Sequence, residues 1–358
     1  MNDSLYIFIV YTCYFISTTV LSFLVNGLFL KFASTLGTRN LDENFVRWSS
    51  HVKPSLGGIS FFLIFLLSIA SYPIFFEQNQ VLFDKHILGI LAAGTLAFLL
   101  GLSDDAYNTR PVLKFVVQII CGVILISTGT YISIFANIYI NYAFTLFWVV
   151  ALMNSINMLD NMDAISTVVS ITTIMGALLV LFLNNDGRNI YIIILIGVMA
   201  ALLGFLYFNW HPSKMFMGDT GSQFLGLFLA AIGIIYFWNY PPDVPVGSRI
   251  ASKQFIMTIL TFAIPIIDTV TVVINRMLKG KSPFIGGKDH TTHSLFFRGL
   301  SERRIAVLYA GICFVSMFFN FIIIKYIDNW NYIHIILFSI YFLTLFWFLY
   351  APTRKNKH

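Results

Sequence analysis

The sequence predicts an all-α, polytopic integral membrane protein, and two observations carry that prediction. Of the 358 residues, 58% are hydrophobic and 11% are charged, whereas an ordinary soluble domain is about a quarter charged. Apolar runs longer than about 18 residues recur from end to end, and no polar stretch reaches the roughly 50 residues that an independent soluble domain needs. Residues 1–358 therefore read as a single transmembrane domain.

With about 20 apolar residues per span, eleven helices are predicted, over 5–33, 56–77, 87–103, 112–129, 142–159, 164–184, 190–209, 222–241, 253–276, 304–326 and 332–351. The first follows only Asp3 as a charge and lacks a basic segment or an Ala-x-Ala site, so it reads as a retained span rather than a cleaved signal. The second opens on Gly57-Gly58. The third, fourth and fifth are short, so their boundaries have several residues of play, and 131–141 reads either as a hairpin or as an extra helical turn. The ninth span alone carries an acidic residue well inside it, Asp268 in Pro265-Ile266-Ile267-Asp268. No internal repeat or low-complexity tract interrupts the series.

Eleven spans put the termini on opposite sides of the membrane, and the Lys/Arg bias selects the sides. Loops after odd-numbered spans, with the adjoining span ends and the tail, carry Arg39, Arg47, Lys53, Arg110, Lys214, Arg276, Lys279, Lys281, Lys288, Arg298, Arg303, Arg304, Arg354, Lys355 and Lys357. The opposite side carries Lys85, Arg188, Arg249, Lys253 and Lys325. Fifteen against five predicts an outside amino terminus and a cytoplasmic carboxyl terminus. The net charge of +6 is scattered between spans and forms no stripe, which excludes nucleic acid as a partner. Cys13, Cys121 and Cys313 all fall in apolar runs without metal or redox spacing and read as small buried hydrophobes.

Five polar clusters fall on the predicted cytoplasmic side. The first is Arg47, His51, Lys53 and Pro54 before Gly57-Gly58, where the glycines serve either close helix packing or a ligand beside a basic loop. The second is Asp104-Asp105 near Asn108, with Lys114 about one turn inside the next span. Paired carboxylates can be a solvated helix end, but a lysine in an apolar helix is unfavourable by a few kcal/mol, to order of magnitude, unless it snorkels or finds an anion. The third is Asn154, Asn157, Asp160 and Asp163. Residues three apart on a helix are offset by roughly 60°, so Asn157 lies near both neighbours, and these oxygens suit a hard cation or its waters better than a bland helix end.

The fourth cluster, Gly218-Asp219-Thr220-Gly221-Ser222, sits before the eighth predicted helix, where free N–H groups favour an anion. A diphosphate with its cation would satisfy the carboxylate and the amides together; an ordinary turn with an Asp cap is the alternative. The fifth is the long loop from Lys281 through Ser282-Pro283-Phe284-Ile285-Gly286-Gly287-Lys288-Asp289 to His290, Thr291, Thr292 and His293. Two histidines without a third nitrogen or sulfur ligand nearby make a poor zinc site, and Lys, His and glycine backbone suit a diphosphate better.

Taken together, the Asp-Asp loop, the Asn-x-x-Asn-x-x-Asp-x-x-Asp series, the Gly-Asp-x-Gly-Ser loop and the His-containing last loop resemble the polyprenyl-phosphate N-acetylhexosamine-1-phosphate transferase superfamily, glycosyltransferase family 4. The resemblance covers most of the chain and is nearest to the undecaprenyl-phosphate N-acetylglucosamine-1-phosphate branch. It departs from the pattern at Asn161 and Ala164, where Gly is usual in Gly-x-Asp-Gly, and at Thr292, where a middle His is common.

The resemblance implies Mg²⁺, with Mn²⁺ as a substitute, held by Asp219 with Asp160 and Asn157 close by. It implies that Asp104 and Asp105 hold or deprotonate the lipid phosphate, and that Asp104, Asp105, Asp160 and Asp219 form the catalytic set. Lys114, Asn157, Asp163, His290, His293 and Lys53 become substrate-binding residues. The implied partners are a UDP-N-acetylhexosamine, polyprenyl (undecaprenyl) phosphate and the lipid bilayer, with a homodimer left open. The implied setting is a bacterial inner (plasma) membrane with the active site facing the cytoplasm, at the first membrane step of cell-envelope polysaccharide synthesis. The rival class is a membrane transporter with a cytoplasmic-side anion site. Transport sites gather near the bilayer midplane at broken helices, and only Asp268 stands there in this sequence.

Overall fold

The computed structural model describes residues 3–32, 53–77, 83–184, 187–241, 249–280, 282 and 287–354. Arg39, Arg47, His51, Lys281, the stretch 283–286, Lys355 and Lys357 lie outside the described residues. The described chain is helical: α1 (Asp3–Phe32), α2 (Gly57–Phe76), α3 (Lys85–Tyr107), α4 (Pro111–Ser127), α5 (Ile138–Leu159), α6 (Ile165–Leu183), α7 (Ile190–Asn209) and α8 (Gly218–Gly233), which runs into a π-helical turn at Ile234–Trp238. Then follow α9 (Ala251–Thr261), α10 (Ala263–Leu278), α11 (Thr291–Phe297), α12 (Glu302–Lys325) and α13 (Tyr332–Arg354).

Among the described residues nine helices are long and apolar enough to cross a membrane, and the bent α9–α10 pair raises the number to ten. Helix α4 is apolar but only 17 residues long, about 25 Å of helix against a hydrocarbon core of about 30 Å. The eleven predicted spans thus correspond to nine single helices, one bent pair and one short helix. The ninth predicted span needs correction, because 253–276 is not straight: α9 and α10 meet at 82°. Pro265 cannot donate to the Thr261 carbonyl four residues back, and the chain turns at Phe262 between them. Several ends also shift: α3 runs on through Asp104 and Asp105, α5 gains a turn from Ile138, and Asp219 lies inside the first turn of α8 rather than ahead of it.

Local signals account for many boundaries. Asp84 caps α3 through the His86 and Ile87 amides, Asn137 caps α5 and Asn189 caps α7, while Pro111 occupies the first turn of α4. Helix α3 ends where Asn108 adopts a left-handed conformation (φ 52°).

Helix α8 is buried from Thr220 onward and packs against α2, α3 and α5, whereas α13 is largely exposed. Bulky apolar side chains such as Phe8, Ile74, Phe147 and Trp347 face outward, the expected surface of a protein solvated by lipid. Two glycines set how closely α2 and α3 approach the start of α8. A Cβ at Gly58 would fall 2.1 Å from the Gly221 nitrogen, and one at Gly101 would fall 2.2 Å from the Asp219 oxygen. Of the two readings of Gly57-Gly58, the structure therefore supports close packing. The Gly57 and Gly58 amides donate to the Phe216 and Met217 carbonyls at 3.2 and 3.0 Å, tying this helix start to the Asp219 turn.

Candidate active site

The ends of α3, α4, α5 and α8 converge on one polar group. Lys114, about one turn into α4, makes an ion pair with Asp104 of α3 and reaches Asp219 Oδ2 of α8 at 3.5 Å. Asp104 is buried, and its Oδ1 accepts both the Thr109 amide and the Thr109 hydroxyl at 2.8 Å, so the chain after α3 folds back to hold it. Asp219 is half-exposed and receives the Asn157 amide nitrogen at 2.7 Å; the same Nδ2 donates to Ser222 Oγ at 2.8 Å. Motifs two, three and four thus meet at Lys114 and Asp219.

Asp105 takes a different place from its neighbour. Its carboxylate accepts the Asp219 amide at 3.0 Å, the Thr220 amide at 2.8 Å and the Thr220 hydroxyl at 2.6 Å. It caps α8 across the helix interface, which puts its negative charge at the positive end of the helix dipole. The two amides that were expected to receive a diphosphate are therefore bonded to Asp105, a correction to the reading of the fourth cluster.

Asp160 follows the last residue of α5, and its Oδ1 accepts the Ser166 hydroxyl at 3.0 Å. Burial pushes its carboxyl up to about 7, against the Ser166 hydrogen bond and with the charges of Asp105 and Asp163 adding to the rise, although the residue keeps some exposed surface. A divalent cation beside it would oppose that shift. Asp104 and Asp219 flank Lys114, and Asp160 is near enough to Asp105 to feel its charge, so these helix ends gather carboxylate oxygens of the hard type that Mg²⁺ or Mn²⁺ takes, with Lys114 balancing part of their charge. Asn157 presents nitrogen to Asp219, so its oxygen would face a cation only after a half-turn of the amide.

Asp163 and Lys53 belong to an adjoining cluster. Asp163 accepts the Ser213 hydroxyl at 2.7 Å and the Ser213 amide at 2.9 Å, and lies 2.9 Å from His211 Nδ1, which is 3.2 Å from Glu302. Lys53 donates to Ser213 Oγ at 2.8 Å and stands 3.9 Å from Asp163. Although Asp163, His211 and Glu302 bring their ligand atoms within 4.8 Å of one another, Lys53 already balances part of that negative charge.

The last loop docks through consecutive residues. His290 Nδ1 lies 2.8 Å from Asp268, and the Thr291 amide and hydroxyl bond the same buried carboxylate at 2.9 and 2.5 Å. The Thr291 hydroxyl also meets the Tyr309 hydroxyl at 2.7 Å, and Thr292 Oγ1 donates to Asn161 Oδ1 at 2.7 Å. Two positions that depart from the family pattern thus bond to each other and fasten the loop to the turn after Asp160. Arg276 grips Asp289 through two hydrogen bonds of 2.8 Å. Burial disfavours the Asp289 charge, but the Arg276 bonds and charge outweigh it and hold the carboxyl below its ordinary range. His293 packs edge-on to His290 at 5.3 Å, and burial, with the His290 charge adding, lowers it to about 3, so it is neutral near pH 7.

Sequence reasoning overlooked Thr109, Thr220, His211, Ser213 and Glu302 as partners of the acidic residues. The signal for Thr109 was its place just after the Asp-Asp pair; the others pair across the chain and leave no local pattern.

Residues 87–237 match the family described as Glycosyl transferase family 4. The chain is 27% identical over 313 residues to the undecaprenyl-phosphate alpha-N-acetylglucosaminyl 1-phosphate transferase of Escherichia coli (strain K12), covering 82% of this chain and 80% of that protein. It is 25% identical over 303 residues to a Bacillus subtilis (strain 168) protein named "Probable undecaprenyl-phosphate N-acetylglucosaminyl 1-phosphate transferase", covering 82% and 79%. It is 27% identical over 301 residues to the decaprenyl-phosphate N-acetylglucosaminephosphotransferase of Mycobacterium tuberculosis (strain ATCC 25618 / H37Rv), covering 75% and 74%.

Proposed function

From the membership of this chain in glycosyl transferase family 4, we propose that it transfers N-acetylglucosamine 1-phosphate from UDP-N-acetylglucosamine to undecaprenyl phosphate at the cytoplasmic face of a bacterial inner membrane. The observation that carries the reading is the Lys114 ammonium set between Asp104 and Asp219 where α3, α4 and α8 end together. A lipid phosphate held at the membrane surface and a nucleotide diphosphate arriving from water can meet at helix ends, and the Lys/Arg bias of the loops supports a cytoplasmic position for them.

In the reaction, an oxygen of undecaprenyl phosphate attacks the β-phosphorus of the donor. The bond from that phosphorus to the oxygen bridging the α- and β-phosphates breaks, and UMP departs with the bridging oxygen. Mg²⁺ held by Asp219 and Asp160 would supply charge neutralisation of the diphosphate. Lys114 binds phosphate oxygen by exchanging one carboxylate partner for it. Asp104, buried and bonded to Lys114 and Thr109, would orient the acceptor through Lys114, and a phosphate monoester, with a second pKa of about 6, reaches neutral pH largely as the dianion and needs little help from a base. Asp105 keeps the first turn of α8, and with it Asp219, in place. His290 and His293 are buried, and they would serve the donor by anchoring and packing the last loop beside it.

Purified protein in detergent, incubated with undecaprenyl phosphate, Mg²⁺ and a panel of UDP-sugars, tests the reading through UMP release and mass spectrometry of the lipid product. The expected product is undecaprenyl diphosphate N-acetylglucosamine, with Asp219→Ala and wild type in excess EDTA both inactive. Undiminished turnover in either case, or no lipid product from any donor, refutes it.

A further inference from the structure

Beneath the ion cluster the same three helices carry a second polar layer. Gln118 lies four residues beyond Lys114 on α4, Gln223 four beyond Asp219 on α8, and Asn154 three before Asn157 on α5. Each is one helical turn, about 5 Å, deeper than its partner in the site. Gln118 Nε2 donates to Gln223 Oε1 at 3.1 Å and to Asn154 Oδ1 at 3.4 Å. Asn154 Nδ2 returns a bond to Gln118 Oε1 at 2.7 Å and donates to its own helix at Val150 O at 2.8 Å. Gln118 and Gln223 are each 1% exposed.

Asn157 ties α5 to α8 by two short bonds, but the Lys114 ion pair above cannot by itself fix the register of α4. Lys114 reaches Asp219 only at 3.5 Å, on a four-carbon stem that finds a carboxylate from several helix positions. An amide pair is less forgiving, since a one-residue slip of α4 turns Gln118 by about 100° away from both partners and strands their polar atoms where water is scarce. Buried polar residues used in this way specify register more than they add stability.

We infer that Gln118, Asn154 and Gln223 are positioning residues: their hydrogen-bonded layer sets the register of α4, α5 and α8 so that Lys114, Asn157 and Asp219 converge on one cation and phosphate site. The inference rests on the proposed role of Asp219 toward a cation. None of the three amides touches the reacting groups, so their effect travels through helix placement alone.

The test uses the full-length protein in detergent, with the single variant Gln118→Leu and the triple variant Gln118→Leu, Asn154→Leu, Gln223→Leu. Three readouts are compared: the thermal midpoint, Mn²⁺ affinity by electron paramagnetic resonance, and the distance distribution between spin labels at Val112→Cys and Lys214→Cys in a Cys13→Ser background. The single variant leaves Asn154 and Gln223 without Gln118 and is expected to lose stability and Mn²⁺ affinity together. The triple variant removes the whole layer and is expected to keep the wild-type midpoint, broaden the distance distribution and weaken Mn²⁺ by tenfold or more. Where wild type binds Mn²⁺ more tightly than Asp219→Ala does, a triple variant with wild-type affinity overturns the inference whether or not its distances broaden; an unchanged distance distribution overturns it in every case. If wild type binds Mn²⁺ no better than Asp219→Ala does, the cation role itself fails, and the distance distribution still decides whether the layer sets register.

Discussion

Replacing Asp105 with alanine separates two roles that adjacent carboxylates can play. In the structure Asp105 accepts three hydrogen bonds from the start of α8, two from amides and one from the Thr220 hydroxyl. A bond to a charged acceptor contributes about 1.5–3 kcal/mol, and loss of a helix cap costs about 0.5–2 kcal/mol. Because Asp105 is half-buried, water can take over part of the lost bonding, so Asp105→Ala is expected to destabilise the protein by about 2–3 kcal/mol, which lowers the thermal midpoint by a few degrees. Turnover should fall as well, by about 10- to 100-fold, or roughly 1.4–2.8 kcal/mol of transition-state stabilisation, because the frayed turn carries Asp219. Asp105→Asn keeps one acceptor oxygen and should fall between the two. Thermal unfolding in detergent beside a UMP-release assay reads both effects. An unchanged midpoint with lost activity refutes the capping argument and makes Asp105 a contact of the substrate.

Lys114→Met leaves the buried Asp104 carboxylate supported by Thr109 alone, so it should lower the thermal midpoint and turnover together, at about 3–5 kcal/mol for breaking a buried pair; adding Asp104→Asn should recover stability without activity. Ala164 holds a left-handed conformation (φ 65°) with its side chain buried, so Ala164→Val should destabilise by more than about 2 kcal/mol, whereas Ala164→Gly should leave the midpoint nearly unchanged, relief of strain being offset by the lost methyl and a looser unfolded chain. The Asp289 carboxyl is held low by Arg276, so its contribution is present above the ordinary carboxylate pKa of about 4 and is lost as pH falls through the depressed value. Asp289→Asn should therefore lower the midpoint at pH 7, and the gap from wild type should close on acidification below about pH 4.

The membrane architecture was legible because each span is announced locally, by a run of apolar residues and its polar ends. The bend at Phe262 was not, since a proline in an apolar run reads alike in a straight and in a broken helix, and hydropathy carries no angle. The site was legible as separate clusters, and their residue types pointed to phosphate and a hard cation. Their assembly was hidden. Asp105 meets Thr220 across 115 residues, and Thr292 meets Asn161 across 131, pairings that depend on which helices pack together. Gln118 stands alone one turn past Lys114 and Gln223 adjoins Ser222 at the edge of the fourth cluster, and only their contact gives them meaning. Gly58 looked equally suited to a ligand or to packing until α8 was seen against it.

The distribution of polar groups along the membrane normal argues for surface chemistry over transport. A transporter needs a site near the midplane that can open to either side, with a charged group free to exchange partners. Asp268, the carboxylate that the sequence sets well inside a span, spends both oxygens on His290 and Thr291 from a loop at the end of the bundle. Its carboxylate anchors that loop. One turn beneath the Lys114–Asp219 pair, the amides of Gln118, Asn154 and Gln223 are engaged with one another. A bundle that gathers its charges at helix ends and backs them with matched neutral amides accords with the proposed phosphate transfer, in which a lipid headgroup and a soluble nucleotide must both arrive, better than with transport.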